Sequence, residues 1–127
     1  MPHLTLEYSH NLEVDVKVVF KRLHEELVAS GAVNLKGLKS RAICHDQVYI
    51  ADGDERYQFV HLDMLLREGR PLEVQKDASE RAMKVLEDSF GHLFDKNYLS
   101  LSVNLREMRA EVALTHHNIP SGGIKDG

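Results

Sequence analysis

The sequence predicts an α+β fold: a four-stranded sheet with two helices on one face, made from a strand–helix–strand unit used twice. Three observations predict it. Stretches with apolar residues at every second position flank two longer stretches whose apolar residues recur at helical spacing. The order of these stretches repeats with an offset of roughly 60 residues. A length of 127 residues with 43% hydrophobic and 28% charged side chains fits one compact domain rather than a disordered chain. Residues 1–127 are therefore taken as a single domain with pseudo-repeat halves at about 1–55 and 56–114 and a tail at 115–127.

The first strand is predicted over residues 3–8, where Leu4, Leu6 and Tyr8 alternate with His3, Thr5 and Glu7. Asn11 is the expected N-cap of the first helix, whose stripe is Leu12, Val16, Val19, Phe20, Leu23 and Leu27. Gly31 is expected at its C-terminal end, since glycine enters the left-handed conformation without a Cβ clash. Leu38 to Ile50 reads as extended, and Ala51-Asp52-Gly53-Asp54 as a turn. The second half opens with Tyr57 to Leu66, where Val60, Leu62, Met64 and Leu66 share a face. Glu68-Gly69 end that strand, and Pro71 occupies the first position of the next helix, where a missing N–H costs nothing. Its stripe is Ala78, Ala82, Val85, Leu86, Phe90 and Leu93. Leu99, Leu101, Val103 and Leu105 then alternate with Ser100, Ser102 and Asn104 as a last strand. Helical crossovers of this length allow parallel pairing within each unit, which leaves the sheet face opposite the helices to be hidden by self-association.

Composition removes several classes of function. Sixteen Lys+Arg against twenty Asp+Glu give a formal charge of −4, which argues against a nucleic-acid-binding field. One cysteine excludes an intrachain disulfide and a multi-thiolate metal site. No apolar run is long enough to span a membrane. MPHLTLEYSH lacks a signal peptide's basic flank and apolar core, so a cytoplasmic chain is expected.

The candidate chemistry begins at Pro2. Removal of Met1 would leave a proline imino nitrogen at the chain start, and an amine kept uncharged by burial or nearby cations is a competent general base. Lys39 and Arg41 share one face at strand spacing, two cations side by side that read either as a solvated edge or as a place for an anion between them. Leu38, Ala42 and Cys44 take the other face toward the helices, which makes Cys44 a packed thiol rather than a nucleophile. Arg70 lies at the mouth of the second helix, where it either clamps a carboxylate or pairs with Glu73. Eight histidines include His45, His61 and the adjacent His116-His117, but none sits at metal-ligand spacing, so no metal site is expected.

Taken in order, Met1-Pro2-His3, Gly37-Leu38-Lys39-Ser40-Arg41, Ala51-Asp52-Gly53, Tyr57-Gln58-Phe59-Val60-His61, Gly69-Arg70-Pro71-Leu72-Glu73 and Leu99-Ser100-Leu101-Ser102 resemble the tautomerase superfamily. Within it the likeness is to the 5-carboxymethyl-2-hydroxymuconate isomerases. The resemblance implies a tautomerase-like homotrimer whose sheets pack around a central axis. It implies a cofactor-independent isomerase of homoprotocatechuate breakdown that shifts a double bond in 5-carboxymethyl-2-hydroxymuconate or a similar 2-hydroxydienoate. Pro2 would be the proton shuttle, with Lys39, Arg41 and Arg70 binding the carboxylates and polarising the 2-keto oxygen. The chain departs from the family pattern in having Lys39 where arginine is usual and Pro71 where serine is usual. Two other readings compete: a non-catalytic module that binds or senses an anionic small molecule, and a superfamily member that signals through a protein partner.

Overall fold

The computed structural model describes residues 2–125. Its elements are β1 (His3–Ser9), α1 (Val16–Ala29), β2 (Lys39–His45), β3 (Tyr57–Arg67), α2 (Leu72–Phe90) and β4 (Tyr98–Met108), with short 3-10 turns at Leu35–Gly37, Gly91–Asp95 and Ala110–Val112. The strands form one sheet in the order β2-β1-β3-β4. β1 pairs parallel with β2, β3 pairs parallel with β4, and the two units join antiparallel along β1 and β3. That is the α+β architecture expected from two strand–helix–strand units.

Alternation divides the sheet into two faces. Leu4, Leu6, Val60, Leu62, Met64 and Leu66 are buried on one face, against Val19, Leu23 and Leu27 of α1 and Ala78, Ala82, Val85, Leu86 and Phe90 of α2. Both helices thus cover the same side. Among the described residues the other face carries no α-helix. Its polar groups pair with one another: His45 Nε2 with Glu7 Oε1 at 2.9 Å, His61 Nδ1 with Ser102 Oγ at 2.6 Å, and Arg106 with Asp63. His45 and His61 are thereby engaged by side chains of the sheet itself.

Several local expectations are corrected. α1 is capped by Asp15, whose Oδ1 accepts from the Val18 N–H at 3.4 Å, rather than by Asn11. The chain first turns at residues 10–12, so the Asn11 amide instead donates to the carbonyls of Glu55 at 3.1 Å and Tyr57 at 2.8 Å. Ser30 is the C-cap, and Gly31 follows it at φ +81°, the left-handed residue that ends the helix. β2 stops at His45, so the extended stretch does not reach Ile50. Pro71 is the N-cap itself, one position before the first helical turn, and its carbonyl accepts from Val74 and Gln75 at 3.1 Å. Cys44 is exposed, not packed: β2 is an edge strand, and beside Cys44 the sheet offers only Tyr8 of β1. The expectations on Met1 and on the last two residues of the tail fall outside the described residues. Among the described residues, no helix is long and apolar enough to cross a membrane.

Candidate active site

The antiparallel junction decides which ends of the strands meet. Because β1 and β3 run in opposite directions, one rim of the sheet gathers the starts of β1 and β2 with the ends of β3 and β4. His3 is level with Lys39 on one side and Leu65 on the other, and Leu65 is level with Arg106. Pro2 lies just outside this level and is buried. Its carbonyl accepts from the Lys39 N–H at 3.1 Å, which extends the parallel ladder to the proline.

Lys39, Arg41 and Arg70 reach this rim by different routes. Lys39 and Arg41 alternate with Ser40 on β2 and so point to the helix-free face, as their spacing predicted. Lys39 Nζ donates to the Gly37 carbonyl at 3.2 Å. Arg41 Nη2 is 3.0 Å from His3 Nδ1. Between them Ser40 turns inward, its Oγ hydrogen-bonded to His24 Nε2 of α1 at 2.7 Å, which ties the edge strand to the helix. Burial holds the His24 imidazole below its ordinary pKa.

Arg70 does not pair with Glu73. Its Nε donates to the Ala32 carbonyl and its Nη1 to the Arg67 carbonyl at 2.6 Å. Gln75 Nε2 in turn holds the Arg70 carbonyl at 2.8 Å. A guanidinium has five N–H donors, so after two are spent on backbone an end-on Nη1/Nη2 edge is left for an oxyanion. Gly69 makes the turn into this arrangement at φ +119°, a conformation glycine alone enters without strain.

Electrostatically the rim is positive. His3 has its pKa lowered by burial first, then by Arg41 and Lys39. Arg109, which the sequence pattern did not single out, joins His3, Met108 and Val112–Thr115 around a groove of about 530 Å³ on the helix-free side. Arg106 is also at this level but is neutralised: it grips Asp63 with contacts of 3.0, 3.2 and 2.6 Å and draws that carboxyl below its usual range. No periodicity marks Arg109 or His3 as site residues: the β1–β2 register sets His3 beside Lys39 and Arg41, and the register across β3 and β4 brings Arg109 to them.

The model of the family described as 5-carboxymethyl-2-hydroxymuconate isomerase matches residues 2–121. The Escherichia coli protein 5-carboxymethyl-2-hydroxymuconate Delta-isomerase is 30% identical over 121 residues, which cover 94% of this chain and 96% of that one. The crystal structure of a 5-carboxymethyl-2-hydroxymuconate isomerase from Deinococcus radiodurans R1 superposes with a TM-score of 0.87 at 31% identity, covering 92% of this chain and 90% of that chain. A crystal structure of a 5-carboxymethyl-2-hydroxymuconate delta-isomerase shares the fold with a TM-score of 0.80 at 23% identity, covering 93% and 89%. On the family match and these relatives together, the chain belongs to the 5-carboxymethyl-2-hydroxymuconate isomerase family and is an isomerase of the tautomerase superfamily.

Proposed function

We propose that this isomerase shifts a double bond in 5-carboxymethyl-2-hydroxymuconate or a closely similar 2-hydroxydienoate, without a cofactor, using Pro2 as general base and then general acid. The observation that carries the reading is the meeting, at one rim, of a buried Pro2 with cations that have no carboxylate partner among the described residues: Lys39, Arg41 and Arg70. With Met1 removed, the imino nitrogen takes the proton of the substrate's 2-hydroxyl, which leaves a dienolate with its charge on that oxygen. The proton returns at a carbon of the conjugated system, so the double bond moves, the hydroxyl becomes a 2-oxo group and nothing is consumed. A cation fixed near that oxygen stabilises the dienolate more than the ground state. The free edge of Arg70 suits a carboxylate, and Lys39 acts as a point charge for another. The cations that lower the His3 pKa also favour an uncharged imino nitrogen next to it.

Assembly belongs to the same proposal: a homotrimer in the cytoplasm whose subunits bury the helix-free faces. Three polar pairs there, His45 with Glu7, His61 with Ser102 and Arg106 with Asp63, already satisfy one another within the sheet, so covering them strands few groups. A more distant neighbour in fold is a fused 4-OT symmetric trimer, with a TM-score of 0.66 at 14% identity.

The test is a spectrophotometric assay on a panel of 2-hydroxydienoates, with intact mass showing whether Met1 is absent. Pro2→Ala is expected to lose roughly 10²- to 10⁴-fold in turnover, the usual contribution of a positioned acid–base group. Full activity in that variant refutes the mechanism. Thermal stabilisation by a dienoate without product, whether or not Met1 is present, favours the binding-module reading instead.

A further inference from the structure

Arg41 is oriented in an unusual way for a surface arginine. Its side chain is exposed on an edge strand, and among the described residues its guanidinium has one hydrogen bond, to a histidine ring nitrogen rather than to a carboxylate. We propose that His3 is a positioning residue, whose neutral ring accepts from Arg41 through Nδ1 and holds that guanidinium at the rim beside Pro2, releasing it when the ring is protonated. The inference rests on the reading of Arg41 as a substrate-binding cation.

The neighbouring charges explain why a histidine suits this place. The carboxylates nearest Arg41 on this face are Glu7 of β1, which holds His45, and Asp63 of β3, which Arg106 of β4 occupies. A carboxylate in place of His3 would orient Arg41 equally well but would cancel its charge. A neutral imidazole fixes the guanidinium and leaves the full positive charge for an incoming anion. The bond requires the Nε2–H tautomer, with the Nδ1 lone pair directed at Arg41 Nη2 3.0 Å away. Protonation removes the acceptor and sets two cations at that distance.

The groups facing His3 are Lys39 and Arg41 on β2, Asp63 on β3, Arg106 on β4 and Arg109 after it. Among the described residues neither α1 nor α2 packs on this face. With Asp63 and Arg106 joined to each other, the balance at the ring is positive, and burial, Arg41 and Lys39 all keep its pKa below 6.5. The imidazole is therefore an acceptor at neutral pH. It loses that role, and Arg41 its anchor, as the solution becomes mildly acidic.

Two measurements test this. Histidine ¹⁵N NMR of the wild type, with His3 assigned by its loss in His3→Asn, is expected to show an unprotonated Nδ1, a protonated Nε2 and a titration below 6.5. Kinetics on the 2-hydroxydienoate panel then compare the wild type with His3→Asn, whose side-chain oxygen can stand in for Nδ1 but does not titrate, and with His3→Leu. Relative to His3→Asn, the wild-type KM is expected to rise about five- to tenfold on acidification through the His3 titration, with kcat changed less than twofold. His3→Leu should show the raised KM at every pH. An Nδ1–H tautomer, a titration at or above 6.5, or a wild-type KM in His3→Leu overturns the proposal. If the wild type turns over no member of the panel, the substrate reading fails, while the NMR result still decides whether His3 holds Arg41.

Discussion

Replacing Arg70 by methionine keeps the length and the apolar stem of the side chain but removes the guanidinium, and its effect on stability follows from the two carbonyls it holds. The Ala32 carbonyl belongs to a residue only 3% exposed, so water cannot readily replace the Nε donor. The Arg67 carbonyl belongs to an exposed residue and regains a water partner. A hydrogen bond from a charged donor to a buried acceptor contributes about 1.5–3 kcal/mol, and an exposed one about 0.5 kcal/mol. Arg70→Met should therefore cost about 2 kcal/mol, and Arg70→Lys, which reaches one carbonyl at most, about half of that. With a urea m-value of about 2 kcal/mol/M, the midpoint falls by roughly 1 M for methionine and roughly 0.5 M for lysine. The assay is urea unfolding followed by far-UV circular dichroism at one fixed protomer concentration, because self-association would otherwise move the midpoint. A methionine variant within about 0.2 M of the wild type would show that the guanidinium is not anchored on the backbone, and the free-edge argument for carboxylate binding would go with it.

Two other perturbations probe the same scaffold. His24 and His3 are held below 6.5 in the folded chain, chiefly by burial, so the unfolded chain binds more protons in that range. Stability is then fully present above 6.5 and declines as the pH falls through the lowered folded values. Urea midpoints should drop between about pH 7.5 and pH 5.5. His24→Gln, which retains a donor and acceptor for Ser40 near the Nε2 position, should show a shallower drop; equal wild-type midpoints across the range contradict the assignment. At Gly69 the space for a Cβ is open but φ is +119°, so Gly69→Ala acts through backbone strain rather than a clash. A cost of about 1–3 kcal/mol is expected in the same unfolding assay, together with a raised KM because Arg70 follows directly. An alanine variant as stable as the wild type would mean that the turn relaxes freely.

Much of the fold is legible in the residues because each element answers to a simple period. Leu4 and Leu6, or Val60 to Leu66, can lie in a core only as alternate residues of a strand, and the Ala78–Phe90 stripe only as one face of a helix. Element ends were less legible where a side chain had two uses. Asn11 is a good cap, but it lies four residues before Asp15 and the reversal after β1 makes it a bridge to Glu55 and Tyr57. Cys44 has the parity of a core residue, and parity says nothing of a strand's place at the edge. The candidate site, Pro2, Lys39, Arg41 and Arg70, was put forward from the order and spacing of its residues, since a proline start and paired strand cations have common other uses when taken singly. His3 and Arg109 were not, because the nearness of His3 to Arg41 depends on the pairing of β1 with β2, and that of Arg109 to His3 on the pairing of β1 with β3 and of β3 with β4.

That pairing also bears on how a chain of net charge −4 can attract a polyanion. The rim opposite Pro2 is formed by the ends of β1 and β2 and the starts of β3 and β4, and the loop there carries Asp46, Asp52, Asp54 and Glu55. Arg56 in that loop is occupied by Asp54, at 2.7 Å, and draws its carboxyl down to about 2. On the helices, Arg22 and Lys84 share Asp88, and Arg81 is divided between Asp77 and Glu26. These cations are thus met by carboxylates, whereas Lys39, Arg41 and Arg70 are met by a carbonyl, an imidazole and two carbonyls. Neutral acceptors orient a cation without cancelling it, so the field at this rim stays positive although the whole molecule is acidic. An isolated cluster of that kind is unfavourable unless an anion enters it. On the proposed function that anion is the polycarboxylate substrate, whereas a solvated edge would leave the cations to water alone.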